Sequence, residues 1–204
     1  MSDEIVNVFP QSIMICGETY NLNEKELEYI KSLNKEKITG DGNNYRTSST
    51  YIFNNPKLKK FKEYCEKQVN HYMHNHMKYD NNYQFYITQS WANFNEKETS
   101  HHKHNHPNSI LSGVYYIKPH NAAIRFYKNS ETFPLLFKEK KYTIENSKSW
   151  FFVPQKNNLF LFPSLLEHSV EVNKNVEPRI SISFNTFVKG TLGKTQELTE
   201  LEII

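Results

Sequence analysis

The chain has 204 residues, a length typical of one domain. Its 25 Lys and Arg residues against 22 Asp and Glu give a formal net charge of +3, spread along the sequence. A nucleic-acid-binding surface needs a basic stripe or patch, and this pattern indicates none. The 14 Phe, 13 Tyr and 2 Trp exceed what disordered chains carry. We therefore expect a single globular domain over residues 1–204 with an aromatic core.

The sequence also indicates the cellular compartment in which we expect the protein. No apolar run approaches the ~18 residues that a membrane-spanning helix needs, and the start Met-Ser-Asp-Glu does not resemble a secretory signal. Cys16 and Cys65 do not make a disulfide framework. We expect a cytoplasmic protein without a membrane partner.

Residues 1–80 are predicted to form a mixed, partly helical support region. Asn23 is suited to cap a short helix that runs to Leu33. A second helix is predicted after Pro56, on apolar residues spaced three or four apart: Leu58, Phe61, Cys65, Val69 and Tyr72. Three histidines near its end are expected to be exposed polar residues, with a ligand role as the alternative: His71, His74 and His76.

From residue 84 the spacing becomes alternating. Strands rich in aromatic and β-branched residues are predicted at 84–95, 110–118, 122–127, 159–162, 166–172 and 179–188, with turn residues between them. Many short strands favour a mainly β fold, a sandwich or barrel of antiparallel strands, over residues 81–204. Residues 128–156 have weak periodicity, and we expect an irregular loop there that is a lid or is mobile.

Four of the nine histidines lie within residues 101–106. Imidazole is the commonest metal ligand in proteins. Residues two apart on an extended segment point to the same side, so His104 and His106 can face one metal ion. His102 belongs to the same series, so the spacing alone does not fix the register. A His-rich surface loop is the alternative.

Two later segments add polar groups to apolar strands. His168 lies among Leu and Val residues, where a buried core histidine is the simpler interpretation. Farther on, one face of an alternating strand carries Arg179, Ser181, Ser183 and Asn185. That face lies in water in an ordinary half-buried strand. If it lines a barrel interior instead, the guanidinium of Arg179 is suited to a carboxylate.

Several segments together resemble the iron(II)- and 2-oxoglutarate-dependent oxygenases, in particular a subgroup common in marine bacteria and their phages. The matching segments are residues 91–93, 104–117, 161–168, 179–185, 190–193 and 198–201. The resemblance implies a double-stranded β-helix, a cupin-like jelly roll, with N-terminal helices packed against it. It also implies a dioxygenase that converts 2-oxoglutarate and O2 to succinate and CO2 while it hydroxylates an unknown substrate. For a phage-encoded chain, the cytoplasm would be that of the host.

The resemblance further implies roles for particular residues. The iron(II) ligands would be His104, His106 and His168, and no catalytic residue beyond the ligands is implied. Arg179 would bind the far carboxylate of 2-oxoglutarate, and Ser181 would share it. Weaker candidates for the cosubstrate pocket are Asn93 and one of two neighbouring tyrosines that face opposite sides, for which we choose Tyr115 over Tyr116.

The sequence departs from the family pattern at one point. The common triad has His-x-Asp/Glu and a distal histidine, but here Asn105 separates two histidines and no acid occurs between Thr99 and Arg125. Either the site has three histidines, or a water replaces the acid beside two of them.

Two other functions compete with the oxygenase. One is a non-catalytic cupin-like protein that binds zinc or nickel, and the other is a phage particle or interaction protein. Only the oxygenase needs the carboxylate-binding pair of Arg179 and Ser181. The identity of the substrate and the oligomeric state stay open, a homodimer included.

Overall fold

A computed structural model describes residues 4–38, 44–129, 133–135 and 137–204. The α-helices are α1 (Glu24–Ser32) and α2 (Lys59–Asn70). Short 3₁₀ turns lie at Ile52–Asn54, Pro56–Leu58 and Thr195–Glu197, and a π-helical turn, His71–His76, continues α2. The strands are β1 (Met14–Ile15), β2 (Lys35–Lys37), β3 (Asn44–Thr47), β4 (Gln84–Asn95), β5 (His101–His104), β6 (Leu111–Lys118), β7 (Ile124–Tyr127), β8 (Ser149–Phe152), β9 (Leu159–Pro163), β10 (His168–Val170), β11 (Arg179–Leu192) and β12 (Leu201–Ile203).

The strands form two antiparallel sheets. The larger sheet has the order β1-β9-β6-β11-β4-β3-β2, and β12 pairs with the end of β11. The smaller sheet has the order β5-β10-β7-β8. Side chains from both sheets meet in one apolar cluster that includes Val114, Tyr116 and Phe162 of the larger sheet and Phe126 of the smaller one. Two facing sheets of this kind are the mainly β jelly roll that the sequence predicts, and this prediction is confirmed.

The central strands of the larger sheet are buried on both faces. Its second face packs on α2 and the N-terminal segments, in a cluster that contains Phe61, Cys65, Tyr115 and Ile182. Since side chains alternate along a strand, neighbours on β6 enter different cores, and Tyr115 and Tyr116 point to opposite sides of the sheet.

Both helices begin and end close to their predicted positions. At the start of α1, the side chain of Asn23 accepts from the backbone N–H of Glu26, whose carboxylate accepts in turn from the N–H of Asn23. This capping box satisfies two backbone donors that a helix start leaves unpaired. Along α2, the stripe through Phe61, Cys65 and Val69 is fully buried against the larger sheet.

Three features differ from the sequence-based expectations. Strands β1 to β3 join the larger sheet, so the first 80 residues do more than support it. Strand β5 pairs with β10 although its His-Lys sequence shows no apolar alternation. The expectation of irregular chain throughout 128–156 is wrong at β8, whose Ser-Trp-Phe-Phe sequence pairs with β7. Residues 130–132 and 136 of that segment lie outside the described residues. Among the described helices, none has the length and apolar character that crossing a bilayer requires.

Candidate metal centre

Three histidines come together where β5 meets β10. One ring nitrogen from each of His104, His106 and His168 lies within 4.8 Å of the others. The ring centroids of His104 and His168 are 4.4 Å apart, and His106 lies 5.1 Å from His104 and 5.2 Å from His168. Among the described residues, this is the group of His, Cys, Asp and Glu side chains whose spacing suits a metal ion, and it contains no carboxylate.

Strand pairing accounts for the position of each ring. His168 is the direct cross-strand partner of His104. His106 follows the end of β5, and its backbone N–H donates to the carbonyl oxygen of Ser164 at 2.9 Å. Lys103 directly precedes His104, and Glu167 directly precedes His168. Their side chains form an ion pair on the outer side, with Nζ of Lys103 2.5 Å from Oε2 of Glu167. Glu167 therefore points away from the cluster.

Backbone carbonyls orient two of the imidazoles. Nδ1 of His104 lies 2.8 Å from the carbonyl oxygen of His102, and Nδ1 of His168 lies 3.0 Å from that of Leu166. A carbonyl oxygen only accepts, so Nδ1 carries the proton in both rings and the lone pair is on Nε2. A second hydrogen bond of this kind fixes the tautomer of many metal-binding histidines.

Two of the three rings, those of His106 and His168, lie in a medium that disfavours the imidazolium form. Burial lowers the pKa of His168 to about 3, and the neighbouring His104 adds to this effect. Burial and His104 likewise lower the pKa of His106 to about 4. Both rings are therefore neutral at pH 7, which is the form that binds a metal ion.

A cavity of about 220 Å³ extends from the histidines between the two sheets. It is smaller than the ~300–1,000 Å³ typical of sites for drug-sized ligands, and so suits a small acid. Its wall includes all three histidines together with Asn93, Tyr116, Arg179, Ser181 and Ser183. The polar face of β11 is therefore the inner face of the fold.

Arg179 supplies a buried positive charge to this cavity. Its side chain is 1% exposed, its Nη1 donates to Oδ1 of Asn95 at 3.0 Å, and its guanidinium carbon lies 5.1 Å from the centre of the Tyr116 ring. No described residue forms an ion pair with it, and its Nε has no hydrogen-bond partner in the described chain. Taking a charge out of water without a counter-ion is costly. An anionic ligand would offset that cost.

The choice of Tyr115 over Tyr116 is wrong in the structure. The hydroxyl of Tyr115 donates toward the carbonyl oxygen of Tyr20 at 2.6 Å and contacts Oδ1 of Asn157 at 2.8 Å, on the helix side of the sheet. Tyr116 lines the cavity instead, and its buried hydroxyl has no partner among the described residues. Burial raises the pKa of Tyr116 to about 12, although Arg179 opposes the shift, so the phenol is a neutral donor. Alternation separates two neighbours but does not tell which one faces the site, because both faces of this sheet are buried.

Two of the remaining predicted residues line the cavity, and the three histidines after α2 do not. Asn93 lies in the cavity wall, where its Nδ2 donates to Oγ of Ser183 at 2.9 Å and its Oδ1 accepts from Nε1 of Trp91 at 3.1 Å. Ser181 lies between Asn93 and Tyr116 in the sheet and also lines the cavity. Asn95, which accepts a hydrogen bond from Arg179, is not predicted from the sequence. The histidines after α2 lie away from the cluster: His71, His74 and His76.

One family model matches the part of the chain that carries this site. The model of a family described as "Putative 2OG-Fe(II) oxygenase" matches residues 89–185, a range that contains the histidines, Asn95 and Arg179. No curated protein matches the chain.

Similar solved structures share the fold at low identity. A 2OG-Fe(II) oxygenase family oxidoreductase from Burkholderia pseudomallei is 12% identical, with a TM-score of 0.61 over 85% of this chain and 84% of that one. HygX from Streptomyces hygroscopicus, with nickel and 2-oxoglutarate bound, is 10% identical, with a TM-score of 0.60 over 86% and 82%. A prolyl hydroxylase from Trichoplax adhaerens, in complex with a hypoxia inducible factor peptide, is 13% identical, with a TM-score of 0.56 over 86% and 83%.

Proposed function

We propose that the chain is a 2OG-Fe(II) oxygenase, the family whose model matches residues 89–185. In this proposal it is an iron(II)- and 2-oxoglutarate-dependent dioxygenase that couples decarboxylation of 2-oxoglutarate to succinate with hydroxylation of a second substrate. One observation carries the proposal: a single cavity contains three clustered imidazoles and a buried guanidinium that has no counter-ion within the described part of the chain. A metal ion and a carboxylate are the two ligands that such a cavity accommodates.

The proposed metal ligands are His104, His106 and His168. Imidazole suits iron(II), and one ring nitrogen of each of these three histidines lies within 4.8 Å of the other two. A set of three histidines lacks the negative charge of a carboxylate ligand. We therefore expect weaker binding of iron(II) than at a site of two histidines and an acid.

The proposed cosubstrate site lies at the Arg179 end of the cavity. Two buried polar atoms at this end have no hydrogen-bond partner among the residues that the structure describes: Nε of the Arg179 guanidinium and the hydroxyl of Tyr116. Ser181 lies two residues after Arg179 on β11 and adds a third donor in the same wall. Charge-assisted hydrogen bonds from such donors are among the strong ones, and they suit the far carboxylate of 2-oxoglutarate.

Iron(II) and 2-oxoglutarate, when bound, supply the activation of O2 and the oxidising power. The task of this chain's residues is orientation and exclusion of water. Arg179 fixes one end of the acid, so the other end is held toward the histidines. Val114 and Phe162 make part of the cavity wall apolar.

Turnover tests the proposal against the non-catalytic metal-binding alternative. Protein loaded with iron(II) and supplied with O2 and 2-oxoglutarate should release succinate, and the zinc-loaded protein should not. A folded, iron-loaded protein that binds 2-oxoglutarate and never consumes it would support the binding protein instead. Hydroxylation is tested once a compound is found that raises succinate release and gains one oxygen atom.

A further inference from the structure

The buried guanidinium of Arg179 is held by a row of neutral amides. Arg179, Asn95 and Asn44 are direct cross-strand partners on β11, β4 and β3. Their side chains are at most 1% exposed. Nη1 of Arg179 donates to Oδ1 of Asn95 at 3.0 Å, and Nδ2 of Asn95 donates to Oδ1 of Asn44 at 2.8 Å. The row crosses three strands, and its side chains are shielded from bulk solvent.

The far end of the row fixes the direction of every amide in it. Nδ2 of Asn44 donates to the backbone carbonyl oxygen of Ser100 at 2.6 Å, and the hydroxyl of Thr99 donates to Oδ1 of Asn44. A carbonyl oxygen only accepts, so Asn44 must present its nitrogen there and its oxygen to Asn95. Asn95 then presents its own oxygen to Arg179. The hydrogen bond from Asn95 to Asn44 therefore holds the side-chain oxygen of Asn95 toward the guanidinium.

Asn95 binds the guanidinium without cancelling its charge. Most buried arginines pair with a carboxylate. An aspartate at position 95 would fill about the same volume as Asn95 and would supply such a carboxylate. In this structure the groups that face the guanidinium are the amide of Asn95 and the ring of Tyr116, both neutral. Among the described residues no acid contacts it. Its full positive charge is thus left for a ligand in the cavity.

We propose that Asn95 is a positioning residue for the cosubstrate: it aims Arg179 into the cavity while leaving its charge uncompensated, and so sets a preference for a 2-oxo diacid over a 2-oxo monoacid. This inference rests on the proposed function. It goes beyond that function because it assigns the selectivity to a residue that does not touch the ligand. The amide row behind Asn95 ends at Ser100, directly before the strand that carries His104.

The test compares two acids of equal chain length on nickel-loaded protein by calorimetry. 2-Oxoglutarate has the far carboxylate, and 2-oxopentanoate lacks it. Wild-type protein should prefer the diacid. In Asn95→Asp the new carboxylate competes for the guanidinium, and the preference should fall roughly 10- to 100-fold. In Asn95→Ala the guanidinium loses its orienting acceptor, and the preference should fall about tenfold. Affinity for the monoacid should stay unchanged in both.

Asn173→Ala is the matched control. Its Nδ2 donates to the backbone oxygens of Asn95 and Glu177, so this variant loses a buried amide near the same strand end without touching Arg179. It should unfold at a lower temperature and keep the wild-type preference. A preference that is unchanged in folded Asn95→Asp or Asn95→Ala overturns the inference alone. Wild-type protein that does not bind 2-oxoglutarate overturns the proposed function, and the inference with it.

Discussion

His104 and His168 lie directly opposite each other across β5 and β10, 64 positions apart in the sequence, with ring centroids 4.4 Å apart. The pairing of two short strands thus brings together the two halves of the candidate metal centre. His106 completes the cluster from the residue pair that follows β5. Metal affinity should therefore depend on all three rings.

His168→Ala should abolish stoichiometric binding of iron(II). Loss of a residue that merely supports a ligand costs 10- to 100-fold in metal affinity, so loss of a ligand should cost more than about 100-fold. The measurement is metal content after anaerobic loading and desalting, with circular dichroism to confirm the fold. His71→Ala, an exposed histidine after α2, is the control and should retain iron. Wild-type iron content in His168→Ala would exclude the ligand role.

Arg179→Leu should weaken 2-oxoglutarate binding by about 2–5 kcal/mol, the range for loss of one partner of a buried charge pair. The guanidinium has no counter-ion among the described residues, so its removal relieves the cost of a buried unpaired charge, and this gain offsets the lost hydrogen bond to Asn95. The free energy of unfolding of the ligand-free protein should therefore change little. Calorimetric titration and chemical denaturation measure the two effects. Arg125→Leu, which breaks an exposed ion pair with Glu171, is the control. Equal affinity of Arg179→Leu and wild type for 2-oxoglutarate would refute the assignment.

The two neighbouring tyrosines should respond in opposite ways to loss of the hydroxyl. Tyr115→Phe removes a buried hydroxyl that bonds Tyr20 and Asn157, and should lower the free energy of unfolding by about 1–2 kcal/mol with unchanged 2-oxoglutarate affinity. Tyr116→Phe removes a hydroxyl that bonds to no residue of the described chain, and should leave stability unchanged while ligand affinity falls by about 0.5–1.5 kcal/mol. The reverse pattern would show that Tyr115, not Tyr116, serves the ligand.

Gly113→Ala should destabilise the fold. A Cβ at Gly113 would lie 2.1 Å from Cζ of Phe184, whose ring is fully buried and packs 6.0 Å from Phe53. Overpacking a core typically costs 1–3 kcal/mol, and we expect a loss of about that size in chemical denaturation. Gly17→Ala has no atom within 4 Å of its new Cβ and should stay within about 0.5 kcal/mol of wild type. Equal stability of the two variants would show that Phe184 has room to move.

The sequence predicts best where one local pattern decides the structure. The bounds of β4 follow from its aromatic alternation, and Asn23 caps α1 as its side chain suggests. Strand β5 is missed because its polar sequence has no alternation of its own, and its pairing with β10 decides its conformation. Local patterns cannot show which partner a polar side chain meets across the sheet.

Asn95 shows the same limit within the site. It lies 84 positions from Arg179 and 51 from Asn44, and nothing in its neighbourhood in the sequence distinguishes it from other asparagines. The resemblance to a family points to the histidines and Arg179. The neutral partner of Arg179 emerges only when the strands are paired.

The most direct test of the central claim is anaerobic addition of iron(II) and 2-oxoglutarate to the metal-free protein, followed by visible absorption. If the acid chelates an iron ion held by His104, His106 and His168, a charge-transfer band should appear that requires both components. It should be lost in His168→Ala and need more 2-oxoglutarate in Arg179→Leu. A folded wild-type protein that gives no band at saturating iron(II) and 2-oxoglutarate would contradict the claim that one cavity binds both.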